Sequence, residues 1–177
     1  MENDLLCLET SSIGAGFRAL NSLPNVKLVD AEPIGGGRFL ILVRGQAQAL
    51  REFAKGQAEV ADFEVIESVS QDVLDAVYSL APAKLADSLL VAETETATAM
   101  LLLAQAVVVQ HHLKAIEIKI RKSGLGGAYA YFTGNPSDCA AAAQTVRTRL
   151  TQHLRKGSVE MFEKPTSFVR SLFSDAD

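Results

Sequence analysis

The side chains able to do chemistry are few, and their spacing works against it. His111 and His112 are adjacent, and neighbours on a helix project about 100° apart, so the two cannot easily grip one metal ion. A helix end, whose dipole favours histidine, is the simpler reading. Glu93 and Glu95 have the right types for an acid–base pair, yet no His, Ser or Lys constellation nearby completes a mechanism. Cys139 falls near a helix start, where a thiolate gains stability, but the run Ala140 to Ala143 behind it reads as packing. With only Cys7 and Cys139 in the chain, neither a disulfide framework nor a multi-cysteine metal site can be drawn. No catalytic residue, metal ion or cofactor is expected.

Two glycine clusters are more informative, Gly35-Gly36-Gly37 and Gly124-Leu125-Gly126-Gly127. Each lies between two extended segments, where a hairpin turn needs positive φ and glycine supplies it without steric cost. Successive bare N–H groups also form an anion-favouring concavity. A phosphate-binding P-loop or a dinucleotide fingerprint is excluded, because both need a strand-to-helix setting and the first a Lys-Ser/Thr ending. Arg38 and Arg44 flank the first cluster, and Lys119, Arg121 and Lys122 the second. Such residues either bias a passage toward anions or sit on the solvent face of strands, where they blunt edges.

The elements that carry these loops occur twice. Leu5-Leu6-Cys7-Leu8-Glu9-Thr10 answers to Leu89-Leu90-Val91-Ala92-Glu93-Thr94, an offset of 84 residues from Glu9 to Glu93. A helix follows each, over 13–23 and 97–113, then an extended segment over 26–32 and 115–120. Beyond the glycine clusters come strands over 38–43 and 128–132, closing at Gly45 and Gly134. Second helices are expected over 47–58 and 136–156, with Pro136 suited to a first turn. Alternating strands over 63–66 and 159–162 and short amphipathic helices over 73–80 and 168–173 complete the copies. Each half therefore reads β-α-β-β-α-β, an α+β unit of helices on a mostly antiparallel sheet, ferredoxin-like in layout. The halves divide into residues 1–82 and 83–177, with a linker around Ala81-Pro82-Ala83-Lys84.

Composition bounds what such a pair can do. The chain has 177 residues, 48% hydrophobic and 21% charged, which suits folded domains and not disorder. A net charge of −4 argues against a protein held on nucleic acid by a basic surface. The acidic start, Met1-Glu2-Asn3-Asp4, has no basic n-region, and two isolated cysteines fit a reducing cytoplasm. The greasiest stretch, 97–109, contains Thr98 and Gln105 and is shorter than a membrane span. Ala99 to Val109 is nonetheless apolar nearly all round a helical wheel. One sheet covers one side of it, so the favoured expectation is burial of the rest against another subunit, the alternative being a helix packed between the two halves.

With these residues in view, the chain resembles the shell proteins of bacterial microcompartments, in the tandem, unpermuted class. The resemblance rests on the Glu-Thr strand ends at 9–10 and 93–94, on the run from Pro33 through Gly45, on Ser123 to Gly134, and on Lys164-Pro165. It implies a homotrimer that mimics a six-domain hexagonal tile, alone or as stacked trimers, tiling a shell facet with other shell proteins. It also implies a central pore lined by Gly35, Gly36, Gly37, Gly124, Leu125 and Gly126, through which small polar or anionic metabolites pass. Some tandem relatives hold an iron–sulfur cluster on a first-loop cysteine; no cysteine stands at 34–37. Where single-domain tiles carry an edge lysine, Ser22 and Val109 stand here. The alternative is a ferredoxin-like regulatory oligomer that binds a small molecule at subunit junctions, with an enzyme third.

Overall fold

A computed structural model describes residues 3–80, 83–122, 124, 126–153 and 155–173. Leu125, expected beside the opening, and Ala81 and Pro82 of the expected linker lie outside them.

The first half runs β1 (Asp4–Thr10), α1 (Ile13–Asn21), β2 (Lys27–Pro33), β3 (Phe39–Gly45), α2 (Ala47–Lys55), β4 (Val60–Ile66) and α3 (Gln71–Tyr78). The second repeats it: β5 (Ser88–Thr94), α4 (Ala97–His111), β6 (Lys114–Ile120), β7 (Ala128–Gly134), α5 (Pro136–Gln152), β8 (Gly157–Phe162) and α6 (Ser167–Ser171). Each half holds a four-stranded sheet, ordered β2-β3-β1-β4 and β6-β7-β5-β8, with every pair antiparallel. The α+β reading holds. The four longer helices end earlier than the sequence suggested, α1 at Asn21, α2 at Lys55, α5 at Gln152 and α4 at His111. Pro24 and Gly56 stop the first two, and the chain after α5 must extend to enter β8.

The Glu-Thr pairs are local devices that start helices. Thr10 Oγ1 donates to the Ser12 carbonyl and Thr94 Oγ1 to the Thr96 carbonyl, each at 2.8 Å. Ser12 and Thr96 are the N-caps of α1 and α4, accepting from Ala15 N at 3.2 Å and Ala99 N at 3.0 Å. The repeat is thus matched atom by atom where each first strand hands over to its helix. Close approach matters at Gly16, where an added Cβ would overlap the buried Phe39 ring.

Packing corrects one expectation. The residues of the first sheet alternate: Leu6, Leu8, Ile41 and Val43 face α1 and α2, while Leu5, Cys7, Leu40 and Leu42 belong to a second core shared with α3, α4 and the second half. Helix α4 is enclosed between the outer face of the first sheet and the inner face of the second, Leu90, Ala92, Ala130 and Phe132. Its all-round apolar surface is therefore satisfied inside one chain, and another subunit is not what covers it. Fully buried leucines there, Leu101 among them, contribute about 1.5–3 kcal/mol each by leaving water. Helix α3 also crosses over, packing on β6 and α4.

Candidate functional site

The two glycine loops, distant in sequence, meet. Gly35 to Gly37 form a tight turn in which Gly36 and Gly37 take left-handed φ of 76° and 72°; across from them Gly124, Gly126 and Gly127 take 66°, 82° and 90°. Gly36 N donates to Gly124 O at 2.7 Å and Gly35 N to Arg121 O at 3.0 Å. The concavity of bare N–H groups expected for an anion is corrected by these bonds, since the Gly35 and Gly36 amides are spent on the opposite loop. Gly36, Gly37 and Gly124 remain exposed, Gly126 is half-buried and Gly35 is buried. The basic residues are mostly matched by carboxylates: Arg38 by Glu9 at 2.6 Å, Lys119 by Glu117 at 2.8 Å, Arg121 by Glu93 at 3.0 Å, and Lys122 by Glu32. A loop edge so neutralised has little bias toward anions.

Behind the loops lies a polar seam between the halves that single-chain reasoning missed. Glu9 is fully buried. Its Oε2 accepts from Arg38 Nη1 at 2.6 Å, and its Oε1 from the Thr98 amide at 3.0 Å and the Thr98 hydroxyl at 3.2 Å. The carboxylate therefore caps the start of α4, where the helix dipole favours negative charge. Arg38 also donates to the Glu95 carbonyl at 3.1 Å, bridging the halves. Beside it Arg155 grips Asp62 with two bonds, at 2.9 and 3.1 Å, and Glu64 at 2.8 Å, and Thr96 Oγ1 adds a bond to Asp62 at 2.8 Å. Gln105 closes the far end, accepting from Ser70 N at 2.9 Å and donating to Ser68 O at 3.2 Å. The signal available in sequence was the doubled Glu-Thr motif.

Burial pushes the Glu9 carboxyl above the usual glutamate range, while the Thr98 bonds and Arg38 pull the other way. The native chain then holds that proton more tightly than the unfolded one. The group's contribution to stability therefore falls as pH rises from the unfolded value near 4.5 through the folded one. Glu9→Gln removes this slope, so variant minus wild-type stability is expected to move in the variant's favour across that window, read from urea titrations.

The remaining candidates do not assemble. His111 Nε2 shares a hydrogen bond of 2.8 Å with Thr145 Oγ1, and His112 takes a left-handed φ of 54° at the end of α4. Glu95 faces Lys156 at 3.3 Å. Burial pushes the Cys139 thiol up to about 11, with Asp138 adding to it, and raises Cys7 well above its ordinary value. Both thiols are expected to resist an aromatic disulfide reagent in the native chain and to react once urea unfolds it. Among the described residues no group of three His, Cys, Asp or Glu is placed to hold a metal ion, and no helix is long and apolar enough to cross a membrane. An open hollow of about 460 Å³ lies beside the loops, bounded by Arg38, Glu93, Glu95, Arg121, Gly126 and Ser158.

No family model and no curated protein matches the sequence. Among solved structures the chain is similar to a microcompartment protein from Desulfitobacterium hafniense DCB, with a TM-score of 0.79 and 18% identity over 95% of this chain and 98% of that one. An aspartate kinase from Synechocystis matches at a TM-score of 0.33 and 10% identity, over 92% of this chain and 43% of that one. The first likeness establishes the fold, two tandem βαββαβ halves across nearly the whole of both chains.

Proposed function

We propose that the chain is a non-catalytic structural subunit of a bacterial microcompartment shell. Three copies form a ring of six halves, a hexagonal tile that co-assembles with other shell proteins, and small polar solutes cross it at the axis. The observation that carries this reading is the meeting of the two glycine loops through Gly36 and Gly124, in a chain whose fold is that of a microcompartment protein. Two neighbouring halves already place their loops edge to edge, so a closed ring of such pairs brings six loops around one opening. Gly35, Gly36, Gly37, Gly124, Leu125 and Gly126 are then its rim. Because the flanking cations are mostly paired, the opening sorts by size and polarity more than by negative charge.

Light scattering coupled to size exclusion tests the assembly. A mass three times the chain's 19.0 kDa, or six times for a stacked pair, is expected, with hexagonal sheets in electron micrographs; a monomer or dimer overturns the tile. For the opening, Gly36→Asp is the informative variant, since Asp tolerates the φ of 76° there better than branched residues do. It is expected to leave the mass unchanged and to slow passage of anionic solutes through reconstituted tiles relative to neutral ones.

The hollow between Arg38 and Arg121 favours a second reading, a regulatory oligomer that binds a small molecule at this junction. Saturable micromolar binding of a nucleotide or amino acid, with no lateral assembly, would select it.

A further inference from the structure

Arg38 joins the two glycine loops to the buried carboxylate behind them. Its Nη1 donates to Glu9 Oε2 at 2.6 Å, its Nη2 to the Glu95 carbonyl at 3.1 Å and its Nε to the Gly35 carbonyl at 3.4 Å. A Cβ added at Gly126 would meet both the guanidinium and the Gly35 carbonyl, so the second loop rests on the same side chain. The loops in turn close over it, Gly36 N donating to Gly124 O at 2.7 Å and Gly35 N to Arg121 O at 3.0 Å. The Arg38 side chain is 15% exposed and that of Glu9 0%, so the carboxylate, not water, is what draws the guanidinium inward.

A proton on that carboxylate would oppose the contact. Glu9 Oε1 accepts two hydrogen bonds, from the Thr98 amide at 3.0 Å and the Thr98 hydroxyl at 3.2 Å. With the hydroxyl hydrogen used there, Cys7 donates its S–H to Thr98 Oγ1, 3.4 Å away. Oε2 therefore has fewer bonds to lose, and a proton placed on it points at Arg38 Nη1, donor against donor. The other charged groups around Glu9 do not replace it. Asp62, its cross-strand neighbour on β4, is held with Glu64 by Arg155, and burial keeps the Cys7 thiol neutral. On the open side, Arg38 lines the hollow with Glu93, which faces Arg121, and Glu95, which faces Lys156. Those exposed carboxylates offer a displaced guanidinium a second resting place.

We infer that Glu9 and Arg38 form a proton-operated clasp on the glycine loops. With Glu9 ionised, Arg38 is held inward and the loops are joined; with Glu9 protonated, Arg38 swings into the hollow and the loops part. Burial lifts the Glu9 carboxyl above its ordinary 4.5, which moves the release toward milder acid. The effect is reciprocal by linkage. Protonation favours open loops by the factor by which losing Arg38 raises the proton affinity of Glu9, about tenfold for each pKa unit. The clasp lies within one chain, so it goes beyond the shell reading and does not depend on it.

Hydrogen–deuterium exchange of the full chain, read by mass spectrometry and corrected at each pH for the rate of an unfolded chain, tests the clasp. Protection at Gly35 and Gly36 is expected to fall about tenfold or more between about pH 7 and about pH 4, while that of Leu40 to Val43, in the middle of the sheet, holds. Glu9→Gln fixes the uncharged state and is expected to show the acid level of loop protection at every pH. Arg38→Gln, which removes the other partner, is expected to do the same. If Glu9→Gln does not fold, the wild-type pH series and Arg38→Gln decide. Loop protection that ignores pH in the wild type, a variant that keeps wild-type protection at neutral pH, or a loss shared equally by Leu40 to Val43 overturns the clasp. None of these outcomes touches the shell reading, which stands or falls on the mass of the assembly.

Discussion

Glu9→Ala is expected to lower the unfolding free energy by about 3–5 kcal/mol, the range for removing one partner of a buried ion pair. The carboxylate is fully buried, and its truncation does two things. It strips the Thr98 amide of its acceptor at the start of α4, and it leaves the Arg38 guanidinium, only 15% exposed, without its carboxylate. Burial pushes the Glu9 carboxyl up while the Thr98 bonds and Arg38 pull it down, and a buried ion pair recovers in mutual attraction about what it loses in desolvation. The pair is therefore costly to break rather than strongly favourable to have. Two further variants separate these effects. Glu9→Gln keeps an oxygen for Thr98 and should lose less than Glu9→Ala. Glu9→Leu combined with Arg38→Met, which removes both charges, should recover most of the loss. Urea titrations followed by circular dichroism give all four values, and a Glu9→Ala loss under about 1 kcal/mol would remove the seam as the clasp between halves.

Gly126→Ala is the second large effect, about 3 kcal/mol, and it acts at the loops themselves. A Cβ at this position meets the Arg38 guanidinium and the Gly35 carbonyl, and the φ of 82° is strained for any L side chain. The strain costs roughly 1–2 kcal/mol, and displacing a packed backbone carbonyl adds about 1–3 kcal/mol. Gly124→Ala is the control, since it has the same sign of φ, 66°, and open space around the added carbon; it should cost the strain alone. Thermal melts of the two variants distinguish them. Equal losses would mean that the loops do not press together as Gly36 and Gly124 indicate.

Much of the fold was legible in the sequence because it depends on near neighbours. Alternation in Phe63-Glu64-Val65-Ile66 marks a strand, Pro136 opens a helix in its first turn, and glycine supplies positive φ at Gly36 and Gly126. The site was legible only as two separate loops, together with Cys139, taken as packing and found buried. The destination of α4 was misread for a physical reason: a helix apolar all round must be enclosed, but periodicity does not say by what. The flanking cations were read as facing a passage or the solvent, whereas most of them have specific carboxylate partners.

By itself the sequence determined a doubled βαββαβ unit, its turns and its helix starts. Tertiary structure alone decided what the two Glu-Thr motifs become. Glu9 and Glu93 share residue type, strand position and a threonine that braces the next N-cap, so no local rule separates them. Glu9 is buried because its partners Thr98 and Arg38, 89 and 29 residues away, converge on it, and Asp62 is gripped by Arg155 from 93 residues away. Glu93 has no such convergence among the described residues and stays open to solvent beside Arg121. Equivalent sequences thus acquire different chemistry, because a carboxylate's burial and charge state are set by what folds against it and not by the strand that carries it.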